Sequence, residues 1–131
     1  MPAATPACVL VVDDDDLVRQ FLGTALRLSG FAVRLADGGH QAVAIYRDHG
    51  GDIAAVLLDV RMPGMDGPAT LLALRALNPA VRCCFMSGYT EASIREELLA
   101  LGAEAFFHKP FNMAEVTRAL REVLGQPPEG R

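Results

Sequence analysis

The sequence predicts an α/β fold: a doubly wound sheet of five parallel strands in the order 2-1-3-4-5, with five flanking helices. Three observations predict it. Short apolar runs alternate five times with stretches whose apolar residues recur three and four apart, the pattern of a parallel sheet covered by helices on both faces. The first, third and fourth runs are almost continuously apolar while the second and fifth are not, which separates buried central strands from edges. With the second and fifth runs at the edges, the chain turns back after the second and lays the third beside the first. Right-handed crossovers then favour the stated order.

Taken in order, residues 1–7, "MPAATPA", read as a flexible start, and the first strand is "CVLVV" (8–12). Four aspartates follow, of which Asp15 and Asp16 suit the positive end of the first helix. In that helix Leu17, Phe21, Leu22, Ala25 and Leu26 recur at helical spacing, and Gly30 stands where a helix C′ residue would. "FAVRLA" (31–36) alternates Phe31, Val33 and Leu35 with Arg34, as an edge strand does. "IAAVLL" (53–58) is the third strand, and Asp66 is placed to cap the helical pattern after it. The fourth strand is "VRCCFM" (81–86), Gly102 is a second C′ glycine, and a short fifth strand falls within 103–107. Asn112 with Glu115 resembles a capping box before Val116, Leu120, Val123 and Leu124. One domain over residues 8–124 results, with 125–131 as a flexible tail or the start of a linker.

Composition narrows the function classes. The 131 residues are 51% apolar and 21% charged, which is globular and not disordered. A net charge of −4 offers no electrostatic footprint for nucleic acid or an anionic membrane, and no helix-turn-helix pattern is present. Cys8, Cys83 and Cys84 lack metal or disulfide spacing, and adjacent cysteines in an apolar run read as core residues. No apolar stretch reaches the roughly 18 residues of a membrane span, no signal peptide precedes the first strand, and a cytoplasmic location is expected.

Open α/β sheets bind ligands beyond the carboxyl ends of their strands, where the winding reverses. Here that point lies between the first and third strands. Asp13 and Asp14 follow the first, Asp59 the third in "VLLDVRMPGMDG", Ser87 the fourth in "FMSGY" and Lys109 the fifth in "FFHKPF". Alone, each is ordinary: an aspartate or serine after a strand is usually a helix cap, and a lysine is usually solvated. Together they put three carboxylates, a hydroxyl and an ammonium on one rim. Two carboxylates about 4 Å apart repel by roughly 4 kcal/mol at an effective dielectric near 20, and one lysine offsets only part of that. A divalent cation completes the balance, and few all-oxygen donors suit Mg²⁺, with Mn²⁺ close behind. An EF-hand is excluded, since "DDDDLVRQ" lacks alternating ligands, a central glycine and a terminal glutamate. A cation, a lysine and a hydroxyl together are equipment for phosphoryl transfer. His40, His49 and His108 show no ligand spacing, and strand alternation should turn His108 away from the rim.

"VLVVDDD", "LLDVRMPGMDG", "MSG" and "HKPF", in that order and spacing, resemble the receiver domain of two-component response regulators, a flavodoxin-like fold, over about residues 8 to 124. The resemblance implies that Asp59 is the phosphoacceptor, taking its phosphoryl group from a histidine kinase or phosphotransfer protein. It implies Mg²⁺ held directly by Asp14, Asp59 and the backbone carbonyl of Arg61, with Asp13 acting through a water. Lys109 and Ser87 would bind phosphoryl oxygens, and the Lys109–Pro110 peptide would be cis. Phe106 takes the place of a switch tyrosine, so it lacks a hydroxyl to lock either rotamer. Arg61, Gly88 and Tyr89 occupy positions that tune dephosphorylation, and Gly88 in place of the commoner alanine should leave the phosphoryl group more open to water. Met62 and Pro63 shape the loop after the acceptor, where Gly64 and Gly67 permit tight turns. The implied output is a change in protein contacts at the face of the fourth helix, fifth strand and fifth helix, toward a downstream protein, an attached output domain or a second copy. No nucleic-acid or membrane binding by this segment is implied, nor any turnover beyond self-phosphorylation and self-dephosphorylation. "MSGY" is frequent in receivers attached to hybrid sensor kinases.

Two other readings use the same residues. A haloacid-dehalogenase-like phosphatase needs a second acid two residues after its nucleophile; Asp59 is followed by Val60 and Arg61, whereas Asp13 has Asp15 there but no following glycine. A docking module independent of phosphorylation would not need the acidic set at all.

Overall fold

The apolar runs become the strands of one parallel sheet in a computed structural model, which describes residues 6–88, 92–110 and 112–125, without the side chains of 92–94. Its elements are β1 (Cys8–Val12), α1 (Asp16–Leu28), β2 (Ala32–Ala36), α2 (Gly39–His49), β3 (Ile53–Asp59), α3 (Gly67–Leu77), β4 (Cys83–Ser87), α4 (Ala92–Ala100), β5 (Ala105–His108) and α5 (Met113–Val123), with a 3₁₀ turn at Gly50–Asp52. The strand order is β2-β1-β3-β4-β5 and every pairing is parallel. This is the predicted flavodoxin-like topology.

Side chains alternate across the sheet and build two cores. Leu10, Val12, Val56, Leu58 and Phe85 face a layer holding Ala42 and Tyr46 of α2, Leu71 and Leu74 of α3 and Leu98 of α4. Val9, Val11, Leu57, Met86 and Phe107 face Leu22 and Leu26 of α1 and Val116 and Leu120 of α5. β1 and β4 are buried throughout, while β2 and β5 are largely half-exposed, so the edges fall where alternation and shortness placed them. Cys83 and Cys84 are free and buried, and the pleat sends them into opposite cores. Burial raises both thiols, Cys84 to about 12, which leaves them inert at neutral pH.

The helix ends follow from local chemistry. Asp15 caps α1 by accepting from the amides of Leu17 and Val18, Asp66 caps α3 from Ala69, and Asn112 caps α5 from Ala114 and Glu115. Gly30 and Gly102 take positive φ, and the amides of Phe31 and Ala103 reach back to Leu26 and Leu98 to close the helices.

Strand boundaries shift from the sequence pattern by one or two residues in β2, β3, β4 and β5, most at the starts of β4 and β5. Val81 is buried but lies before β4, because its amide closes the turn from α3 onto the Asn78 carbonyl. At β5, Ala103 finishes the α4 turn, and the ladder begins only where the Glu104 amide reaches the Cys83 carbonyl. The apolar pattern marks burial, and the ladder starts where the register allows. That register matters at the other end of the strands. Val12 pairs with Leu58, Asp59 with Met86 and Ser87 with His108, which brings the carboxyl ends of β1, β3, β4 and β5 onto one rim.

Candidate functional site

β1 extends one hydrogen bond past its last residue, the Asp13 amide donating to the Ala36 carbonyl at 3.2 Å. The Asp13 side chain is fully buried. Its Oδ1 accepts from the Asp15 amide at 2.8 Å and its Oδ2 from Lys109 Nζ at 3.0 Å. Lys109 reaches it because β5 also extends past its end, the Lys109 amide donating to the Ser87 carbonyl at 2.8 Å. The Lys109–Pro110 peptide is cis. The same ammonium lies 3.5 Å from Oδ1 of Asp59, the last residue of β3. Asp14 stands exposed beside this pair, and one carboxylate oxygen from each of Asp13, Asp14 and Asp59 lies within 4.8 Å of the others.

The electrostatics of the cluster follow from that geometry. Burial first, and the Asp13 carboxylate second, push the Asp59 acid up to about 6, against the pull of Lys109; Asp14 adds a smaller upward push. Burial works against the charge on Lys109, but Asp13 and Asp59 outweigh it and raise its pKa. Three carboxylates around one ammonium remain short of positive charge, and one side of the cluster is open to solvent. The three acids can hold a hard divalent cation with coordination positions to spare.

Ser87 is buried at the end of β4, one residue past the strand partner of Asp59. Phe106 is half-buried opposite Phe85 and packs against the core beneath α2, α3 and α4. His108 is exposed, as alternation requires. Arg61 is exposed and lines a cleft of about 550 Å³ with Met62, Pro63, Asp66, Glu97 and Leu98. Gly88 is exposed, and Tyr89 lies outside the described residues.

Gly64 does take the positive φ of a tight turn, but Gly67 is needed for another reason. A Cβ there would lie 2.5 Å from the Asp59 carbonyl oxygen and 2.9 Å from Val60 Cα. The start of α3 therefore rests directly on the backbone of the site. Sequence patterns also pass over Arg19. From the first turns of α1 its Nη1 donates to the Asp13 carbonyl oxygen at 2.7 Å, and its Nη2 pairs with the Asp16 carboxylate. The Asp16-to-Arg19 spacing of three is a helical ion-pair signal; the reach to a backbone carbonyl six residues back leaves none.

The family model of the response regulator receiver domain matches residues 9–121. The chain belongs to that family. Among curated relatives it is 37% identical over 118 residues to the sensor kinase CckA of Brucella abortus, covering 90% of this chain and 12% of that protein. It is 37% identical over 131 residues to the transcriptional regulatory protein FixJ of Azorhizobium caulinodans, covering 98% of this chain and 59% of that one. The chain thus spans less than two thirds of the length of these relatives. Among solved structures, the CheX–CheY–BeF3–Mg complex of Borrelia burgdorferi superposes with a TM-score of 0.86 at 30% identity, over 90% of this chain and 89% of that one. The receiver domain of the hybrid histidine kinase CckA gives 0.76 at 30% identity, over 89% and 98%. As a receiver, the domain serves as a phosphoacceptor in two-component signalling.

Proposed function

We propose that Asp59 is the acceptor, that the donor is a phosphohistidine on a partner kinase or phosphotransfer protein, and that the reaction needs Mg²⁺. One observation carries this: two buried acids and an exposed one converge within 4.8 Å of each other, with the Lys109 ammonium bridging two of them. A carboxylate oxygen of Asp59 attacks phosphorus as the P–N bond to the donor imidazole breaks, giving an acyl phosphate. Lys109 pairs with a phosphoryl oxygen, and the Ser87 hydroxyl hydrogen-bonds another. Asp14, Asp59 and the Arg61 carbonyl would hold the ion, and Asp13, both of whose oxygens are already engaged, would act through water. When bound, the ion neutralises charge on the phosphoryl oxygens. The CheY of Borrelia burgdorferi in the CheX complex carries BeF3 and magnesium, which supports the same use here.

The product is a phosphoprotein, returned to the free acid by its own hydrolysis and not by turnover of a substrate. Phe106 and Ser87 lie on the strands that carry the change toward the face of α4, β5 and α5, where a downstream protein, an output domain or a second copy is engaged. Arg61, Gly88 and Tyr89 set the lifetime. The unit that acts in this way is residues 8–124, and it acts in the cytoplasm. The donor protein approaches along α1, where Leu17 and Phe21 are 78% and 55% exposed and adjoin Lys109 and Pro110 around an apolar hollow.

Incubation with acetyl phosphate and Mg²⁺ tests the proposal. It should add one phosphoryl group, stable in acid and labile in base, that is absent without Mg²⁺ and in Asp59→Ala. An equal gain in Asp59→Ala, or continuous phosphate release from a small ester, overturns it.

A further inference from the structure

The Asp13 carbonyl is the first to leave the β1 ladder, and its partner is not a strand but the Arg19 guanidinium at 2.7 Å. That side chain is 14% exposed and is itself anchored by the Asp16 carboxylate, which is 75% exposed. We propose that Arg19 is a positioning residue for the cation site, setting the course of the loop between β1 and α1 so that Asp14 stands with Asp13 and Asp59. The inference rests on the cation-dependent function proposed above.

Every other fixed point of the loop bears on Asp13 or Asp15. The Asp13 amide is held by Ala36 and its carboxylate by Asp15 and Lys109, while Asp15 caps the helix. Asp14 is the exposed member of the cluster. The Asp13 carbonyl and the Asp14 amide share one rigid peptide plane. Holding that carbonyl therefore orients the plane from which the Asp14 side chain departs. The task needs two donors in a fixed fork, one for the carbonyl and one for the Asp16 carboxylate, which arginine has and the point charge of lysine lacks.

Charge and geometry make opposite predictions here. A guanidinium beside an acidic cluster opposes cation binding, so if Arg19 acted by its charge alone, removing it would tighten the site. If it acts by positioning, removing it loosens the site despite the lost repulsion.

The test is Mn²⁺ binding to the full chain, followed by the electron paramagnetic resonance signal of the free ion, for wild type, Arg19→Gln and Arg19→Lys. Thermal melts fix a temperature at which each is folded. Both variants should bind Mn²⁺ about tenfold more weakly than wild type, the scale seen when a supporting partner of a metal ligand is removed. Equal or tighter binding by Arg19→Gln overturns the proposal, as does wild-type affinity in Arg19→Lys. Should Arg19→Gln fail to fold, Arg19→Lys decides by the same criterion. Absence of Mn²⁺ binding by the wild type sinks the cation-dependent function together with this inference, whereas wild-type binding matched by the variants removes the positioning role alone.

Discussion

Lys109 Nζ lies 3.0 Å from Asp13 Oδ2, closer than its 3.5 Å approach to Asp59, the proposed acceptor. In the absence of a cation the ammonium is therefore the partner of a fully buried carboxylate first and of the acceptor second. Removing it leaves Asp13 charged and buried with only the Asp15 amide on its carboxylate. Lys109→Ala is expected to destabilise the metal-free protein by about 3 kcal/mol, the scale for breaking one side of a buried ion pair. Urea denaturation with EDTA measures this. Added Mg²⁺ should recover more stability in the variant than in wild type, because the ion then supplies the missing positive charge; equal recovery in both would argue against a shared role.

The proposed acceptor also makes stability depend on pH. Asp59 titrates at about 6 in the folded chain against a usual carboxylate value near 4, so the folded state binds the proton more tightly than the unfolded state does. Its contribution is fully present below the unfolded value and is lost as pH rises through about 6. Asp59→Asn removes that loss. It should stabilise the metal-free protein by about 2 kcal/mol at pH 7.5 and by little at pH 4. A gain of the same size at both pH values would show that the acid is not strained in the fold.

Gly67 couples the third helix to the backbone of Asp59. A Cβ there meets the Asp59 carbonyl oxygen at 2.5 Å, and backbone cannot move aside as a flexible side chain can. Gly67→Ala should cost about 2–3 kcal/mol, at the upper end for overpacking, and should slow labelling by acetyl phosphate through displacement of Asp59. Gly51→Ala, whose Cβ would meet nothing within 4 Å, is the control and should change stability by less than about 0.5 kcal/mol.

These sites differ in how far sequence alone exposes them. Asp13, Asp59, Ser87 and Lys109 were legible because parallel strands end on one rim, so the residue after each apolar run must stand there. Asp66 and Asn112 were legible because a cap is a local arrangement of one side chain and amides two or three residues on, while Asp15 was legible only as one of two acids at the start of α1. Arg19 and the reason for Gly67 were not. Each depends on a contact with a backbone carbonyl, of Asp13 in one case and Asp59 in the other, and a carbonyl carries no residue identity to read. β4 starts two residues after Val81 for a related reason, since burial in the core does not require membership of the ladder.

The exposed apolar residues of α1 separate two ways of phosphorylating the proposed acceptor. Leu17 and Phe21, one helical turn apart, border a hollow of about 560 Å³ with Val18, Lys109 and Pro110. A small phosphodonor needs only the cation cluster, whereas a protein carrying phosphohistidine must rest on the rim while its imidazole reaches Asp59. Large exposed apolar groups beside a reactive rim suit that contact, and truncating one at the centre of an interface commonly costs more than about 1 kcal/mol. Phe21→Ala should therefore slow phosphoryl transfer from a phosphohistidine protein about tenfold, equivalent to about 1.4 kcal/mol. Labelling by acetyl phosphate and the melting temperature should stay as in wild type, because the ring is 55% exposed and the hollow it borders is lined by none of the three acids. Equal slowing with both donors would instead place Phe21 in support of the acceptor itself, and no slowing with either would move the docking surface off α1.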